Sequence, residues 1–214
     1  MAVNPTRKGT IREENQKRIL LAAVDEFEKH GFGGARMQRI ADRAEMPKAN
    51  IHYYYKNKLE LYLAVLNDIT QLWNNAFDRI DVNDDPATAL EVYIRAKLEY
   101  SRTNPAAARI FSSEIIQGAP HLRHYLKSDL RDWVNDRASV IRHWHETGKI
   151  RVDNPVSLIF LIWSATQHYA DYHAQIAAIY GKERLSTRDF QLAADSLVDM
   201  ILRACGLERP TRRH

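Results

Sequence analysis

Between residues 48 and 58 the chain places an ammonium group, a methyl, an imidazole and a phenol on one side of a short helical stretch, in Lys48, Ala49, His52 and Tyr53. Groups of these kinds read the edges of base pairs: donors bond to purines, a methyl packs on thymine. Tyr54 and Lys58 follow where the same surface would meet phosphates, which fix register without reading sequence. Ile51 and Tyr55, four residues apart, fall on the opposite side and face a core. A second set lies further along. Lys97 follows Leu90 and Ile94 at helical spacing, Trp163 and Thr166 follow Ile159 with Gln167 beside them, and Trp73 extends the stripe of Leu66 and Ile69. Polar groups that interrupt apolar stripes can hold a planar heterocycle, with indole stacked on its face and the Gln amide offering both donor and acceptor. The competing reading is plain core, with Lys97 snorkelling to solvent.

Catalytic and metal chemistry find less support. Of nine histidines, His121 and His124 are three apart on one possible helix face, but no carboxylate or cysteine completes a recognisable metal site. His143 and His145 would point apart on a helix, and His168 and His173 are five apart. The sequence has no nucleophile elbow and no glycine-rich phosphate loop. No catalytic residue, metal site or cofactor is assigned, and an all-α enzyme stays an alternative of a different class.

The elements that must position these residues are helices, because apolar residues recur at three and four rather than at two. Nine are expected: 11–30, 36–44, 48–55, 58 to about 80, 87–103, 106–117, 121–147, 156–180 and 187–205, with no strand. Gly31 is placed to end the first, and Pro47 suits the first turn of the third because no amide hydrogen is needed there. Three short helices at the front matter most. Two of them joined by a tight turn can put the second in a DNA major groove while the first braces it. The tails, 1–10 and 208–214, are polar and read as mobile ends.

Charge follows the same division. Residues 1–60 hold twelve Lys/Arg against eight Asp/Glu, and residues 61–214 hold nineteen of each, so the whole excess of +4 is N-terminal. A local basic excess suits a polyanion, although a solubilising end is the simpler alternative. The longest mostly apolar stretch, 156–165, is about half a bilayer span, and the first twenty residues are polar. With one cysteine, Cys205, no internal disulfide forms, and a cytoplasmic location is expected.

The run from Ile40 to Lys58, IADRAEMPKANIHYYYKNK, together with Phe27 and Gly31-Phe32, resembles the head of TetR-type transcriptional regulators. The resemblance implies an all-α homodimer with a helix-turn-helix head at 11–57 and an effector-binding and dimerisation body at 58–207. By position it implies that Lys48, Ala49, Asn50 and His52 face bases, while Arg36, Tyr53, Tyr54 and Lys58 hold the backbone. Three positions depart from the family pattern: Glu45 where Gly is usual at the turn, Pro47 where Ser or a similar cap is usual, and Ala35 where Thr is usual. The segments 91–102, 114–120 and 162–172 resemble the branch of that family that regulates pyrimidine utilisation. That likeness implies a small-molecule effector, uracil or thymine, whose binding weakens repression.

Helices 156–180 and 187–205 are apolar over most of their circumference, with Leu158, Ile159, Phe160, Leu161, Ile162, Leu197, Val198, Ile201 and Leu202. Such helices need cover on more than one side. A homodimer through residues about 156–205 supplies it, and twofold symmetry then calls for a palindromic double-stranded operator. The alternatives are a monomer with one thick core, and an architectural DNA binder without a ligand.

Overall fold

The computed structural model describes residues 5–75 and 77–209, with side chains from residue 11 onward. Among the described residues there are eleven helical segments and no strand: α1 (Pro5–Gly34), α2 (Met37–Arg43), α3 (Lys48–Tyr54), α4 (Lys58–Asn75), α5 (Pro86–Thr103), α6 (Pro105–Ile116), α7 (Arg123–Lys127), α8 (Asp129–Glu146), α9 (Pro155–Asp171), α10 (His173–Ile179) and α11 (Thr187–Ala204). Helix α1 starts at Pro5, so part of the expected N-terminal tail is helical; residues 1–4 and 210–214 lie outside the described residues. No helix among those described is long and apolar enough to cross a membrane.

Nine expected segments become eleven because two long ones divide where periodicity alone gives no warning. Ser128 (ψ −90°) separates α7 from α8 while its hydroxyl donates to the His124 carbonyl, a local bond that competes with the helix ladder. Tyr172 (φ −109°, ψ 26°) separates α9 from α10 although apolar residues continue across the break. Helix α4 stops at Asn75 instead of about Ile80. Beyond that end, Arg137 from α8 donates to the carbonyls of Phe77, Asp78 and Ile80, each at 3.0 Å, and so satisfies backbone groups that a helix would have paired internally. Helix starts follow local chemistry. Asp85 accepts from the Thr88 amide ahead of Pro86, Asn154 accepts from Ser157 ahead of Pro155, and Ser186 with Asp189 forms a reciprocal capping box.

Two hydrophobic cores result. The first gathers α5, α8, α9 and α11 around Leu90, Ile94, Trp144, Ile159 and Val198. The second holds the head together through Ile19, Phe27, Ile40 and Ile51, and it does not stop at residue 57. Leu61, Val65, Leu66 and Ile69 of α4, Ile110 of α6, and Ala119 and Leu122 in the turn after it all pack into the head's core. Head and body therefore share buried side chains, so a shift of α4 or α6 reaches the head through packing rather than through a linker.

Candidate DNA-reading face and ligand cavity

Helix α3 buries Ile51 completely and turns Lys48, Ala49, Asn50, His52 and Tyr53 outward, the last with 76% of its surface exposed. The His52 Nδ1 lies 3.1 Å from the Lys56 carbonyl, which it reaches as a donor. Tyr53 and Tyr54 meet edge to face at 5.3 Å, and the half-buried Tyr54 hydroxyl accepts from Asn15 on α1. Arg36 is exposed at the start of α2. Lys58 is half-buried: its ammonium donates to the carbonyls of Gly33 and Ala35 at 3.3 and 3.1 Å and sits 4.7 Å above the Phe32 ring. Six of the eight expected DNA contacts are thus exposed, and Tyr54 and Lys58 already have protein partners.

A buried carboxylate holds this face in place. Glu26 of α1 is fully buried and accepts from the Arg36 amide at 3.0 Å and Arg39 Nε at 2.7 Å, with His30 and Arg43 facing its other oxygen at 3.8 and 3.9 Å. Burial alone would raise its pKa, but the Arg39 and Arg36 bonds outweigh burial and keep it below the usual carboxylate range. At the α2–α3 turn, Glu45 takes φ 52°. The Met46 amide bonds back to the Ala41 carbonyl and the Glu45 amide to that of Asp42, the paired bonds of a Schellman end whose left-handed position usually holds Gly. The Glu45 carboxylate points to solvent and meets Arg18 at 3.7 Å, and Arg18 also caps the Ala44 carbonyl at 2.6 Å.

In the body, four of the five expected effector residues converge on one cavity of about 40 Å³, lined by Trp73, Lys97, Trp163 and Gln167 with Phe111 and Tyr125. Thr166 is not in that lining; it is buried with its hydroxyl turned back onto the Ile162 carbonyl at 2.7 Å. Lys97 is 3% exposed with its ammonium 4.1 Å from the Trp73 ring centre. Burial pushes its pKa down to about 7, and the charge of Asp171 offsets this only in part. Trp163 spends its N–H on the Tyr93 hydroxyl at 2.6 Å, so the face of the ring is what remains for a ligand. Gln167 donates to Ser112, which donates to Asp171 at 2.6 Å. The buried Tyr125 hydroxyl lies beside Thr70 and Asn74, and Asp171 Oδ1, like Glu26 Oε2 in the head, is buried with no hydrogen-bond partner. Trp73 also walls an open groove of about 620 Å³ between α1, α4 and the α5–α6 junction.

Comparison with known proteins places both parts of the chain in families. Residues 19–65 match the model of bacterial regulatory proteins of the tetR family, and residues 66–208 match that of the YcdC-like protein C-terminal region. This chain is a member of the tetR family. It is thus a helix-turn-helix transcriptional regulator. The HTH-type transcriptional regulator RutR of Escherichia coli K12 is 40% identical over 166 residues, 78% of each chain. The transcriptional repressor NicS of Pseudomonas putida is 29% identical over 68% of this chain and 70% of its own. The solved structure of AibR in complex with isovaleryl coenzyme A and operator DNA superposes with a TM-score of 0.67 at 20% identity, covering 87% of this chain and 97% of that one, a likeness of fold.

In this tetR-family protein, the exposed residues of α3 could be read from sequence because they lie within one local run. Others could not. Phe111 and Tyr125 reach the cavity from two further helices, α6 and α7, and Ser112 and Asp171 stand behind it as partners of Gln167; nothing in their local spacing marks them. Glu26 resembles any solvated helix glutamate in sequence, yet it is fully buried. His121, examined as a metal ligand, instead pairs with Glu114 at 3.1 Å, and no metal-binding cluster occurs among the described residues.

Proposed function

We propose that this protein acts in the cytoplasm as a homodimeric repressor of a palindromic double-stranded operator, released by a small planar effector of the uracil or thymine kind, and that it catalyses no reaction. The head, 11–57, reads bases through Lys48, Ala49, Asn50 and His52 and holds phosphates through Arg36, Tyr53, Tyr54 and Lys58. The body, 58–207, binds the effector and dimerises. The observation that carries the effector reading is Lys97. It is buried beside an indole face in a cavity that Gln167 and Tyr125 also line, with no hydrogen-bond acceptor of its own. A ring carrying two carbonyls and an N–H satisfies all three groups at once, and burying such donors without partners is otherwise costly. The present free volume holds about one or two water molecules, so a ring must displace Trp73 or Phe111. Trp73 has room to move toward the groove behind it.

Dimerisation is supported by apolar side chains left uncovered on the last helices: Phe160, Leu161, Leu192 and Met200 are each about half exposed. Residues about 156–205 then meet their twofold copies, and the two heads meet half-sites roughly one DNA turn apart. An effector releases DNA only if it binds the DNA-incompetent state more tightly.

The test is selection of bound sequences from a random DNA pool, followed by titration of the winning site with thymine, uracil and unrelated metabolites. Enrichment of a palindrome and its release by a pyrimidine are expected. A palindrome that no small molecule releases would favour the ligand-independent architectural reading.

A further inference from the structure

We infer that Glu114 is the positioning residue through which the effector cavity sets the DNA-reading head, by way of Tyr62 and the aromatic cluster at the end of α1. The inference rests on the ligand-released reading above and names its mechanical joint. Glu114 is 3% exposed near the end of α6 and accepts four hydrogen bonds: from the Tyr62 hydroxyl at 3.1 Å, the His121 amide at 2.6 Å, His121 Nδ1 at 3.1 Å and the Leu122 amide at 3.2 Å. A buried carboxylate this well satisfied fixes its neighbours in one arrangement.

Both ends of the connection are visible. Three residues earlier on the same helix, Phe111 forms a cavity wall and meets Trp73 edge to face at 4.8 Å, and Ser112 accepts the Gln167 amide. Occupancy of the cavity therefore acts on α6 within one turn of Glu114. On the head side, the Tyr62 ring contacts Phe27 at 4.8 Å and Phe32 at 5.0 Å, and Phe32 meets His121 at a tilt, ring centres 4.3 Å apart. Phe32 follows the kink at Gly31 and carries Lys58 above its ring, next to the carbonyls that Lys58 binds.

The turn that Glu114 ties down is also under strain. Ala119 holds φ 54°, a left-handed value unfavourable for any residue with a Cβ, and its amide bonds back to the Glu114 carbonyl at 2.8 Å. The Glu114 carboxylate and carbonyl together hold this strained turn in place, so a shift of α6 acts on the turn directly.

The test uses the full-length protein with Tyr62→Phe, which removes one hydroxyl and keeps the ring, and Glu114→Gln. With thymine as the probe and the selected operator, the fold-change in operator affinity on saturation is expected to collapse toward one in both variants, while thymine affinity measured without DNA stays within about twofold. A purely structural role would lower stability and leave that fold-change intact. A second measurement needs neither ligand nor DNA. Phe111→Ala should speed backbone hydrogen exchange at residues 31–36 in the wild-type background and not in the Tyr62→Phe background. Equal acceleration in both backgrounds, or an unchanged thymine response in both variants, overturns the inference. If thymine fails to release the wild-type protein, the effector reading falls, and the exchange experiment still decides on Glu114.

Discussion

The head and the body each bury an ionisable side chain, Glu26 and Lys97, and treat it in opposite ways. Glu26 is held by two hydrogen bonds and faced by the Arg43 guanidinium and the His30 ring, so that its charge is stabilised and used to join α1 to α2. Lys97 has an aromatic face and a distant carboxylate, and its charge is disfavoured. In the head one carboxylate oxygen is supplied with two donors while the other, Oε2, has only charged neighbours; in the body the ammonium has no hydrogen-bond acceptor at all. The head is built to be rigid and to present an exterior, whereas the body keeps an interior incomplete.

The contrast is broken most directly at Glu26. Replacement by Ala should destabilise the protein by about 3 kcal/mol, because the Arg36 amide and Arg39 are left without their acceptor, and operator binding should fall with the loss of the α1–α2 joint. Chemical denaturation compared with an exposed control, Asp25→Ala, checks it. A change no larger than that of the control would mean that Glu26 is not structural.

The opposite sign is expected for Lys97→Met. In the folded state the Lys97 pKa is about 7, below its unfolded value of 10.5, so between these pH values the unfolded chain holds a proton that the folded chain does not. The Lys97 contribution to wild-type stability therefore rises with pH across that window and is flat below it. Methionine removes the penalty: the variant should be more stable by about 2 kcal/mol at pH 7, with the gain shrinking toward pH 10.5, and should lose its effector response. Urea titrations at pH 7 and pH 10 test the sign, and a gain independent of pH would rule out desolvation as the cause.

These two charges also mark how far sequence reasoning reaches. The exposed face of α3 was legible because its residues lie within one run, where burial of Ile51 fixes which side chains turn outward. Lys97 was legible because it interrupts an apolar stripe. Glu26, Glu114 and Tyr125 were not, since what distinguishes them is partners or burial set by other helices; Tyr62 and Glu114 are 52 residues apart. Thr166 shared the spacing of the pocket residues, but its hydroxyl took the nearest backbone carbonyl, a choice that spacing does not reveal. The division of α7 from α8 turned likewise on one serine.

On the outer face, Asn50→Ala or His52→Ala should lower operator affinity by about 1–3 kcal/mol, roughly tenfold, and relax preference at one base pair of each half-site. Stability should hardly change, because both side chains are exposed. Measured beside Lys97→Met, this sharpens the division of labour: the exterior variants alter which DNA is bound, and the interior variant alters whether a ligand releases it. Loss of effector response in the α3 variants would merge the two sites that the structure keeps apart.

The smallest expected effect tests whether the head is as free of strain as its satisfied charges suggest. Glu45 occupies the left-handed position between α2 and α3 at φ 52°, where a Cβ is unfavourable and glycine is not. Glu45→Gly removes that cost and also the exposed contact with Arg18, which contributes little. Because glycine also gains freedom in the unfolded chain, the net gain should be about 0.5–1 kcal/mol, seen as a higher melting temperature. Removal of a carboxylate from the DNA side of the turn should in addition strengthen operator binding most at low salt, where repulsion is least screened. Loss of stability on substitution would instead mean that the Arg18 contact outweighs the backbone strain, and that the turn is held by charge, as Glu26 holds the helices behind it.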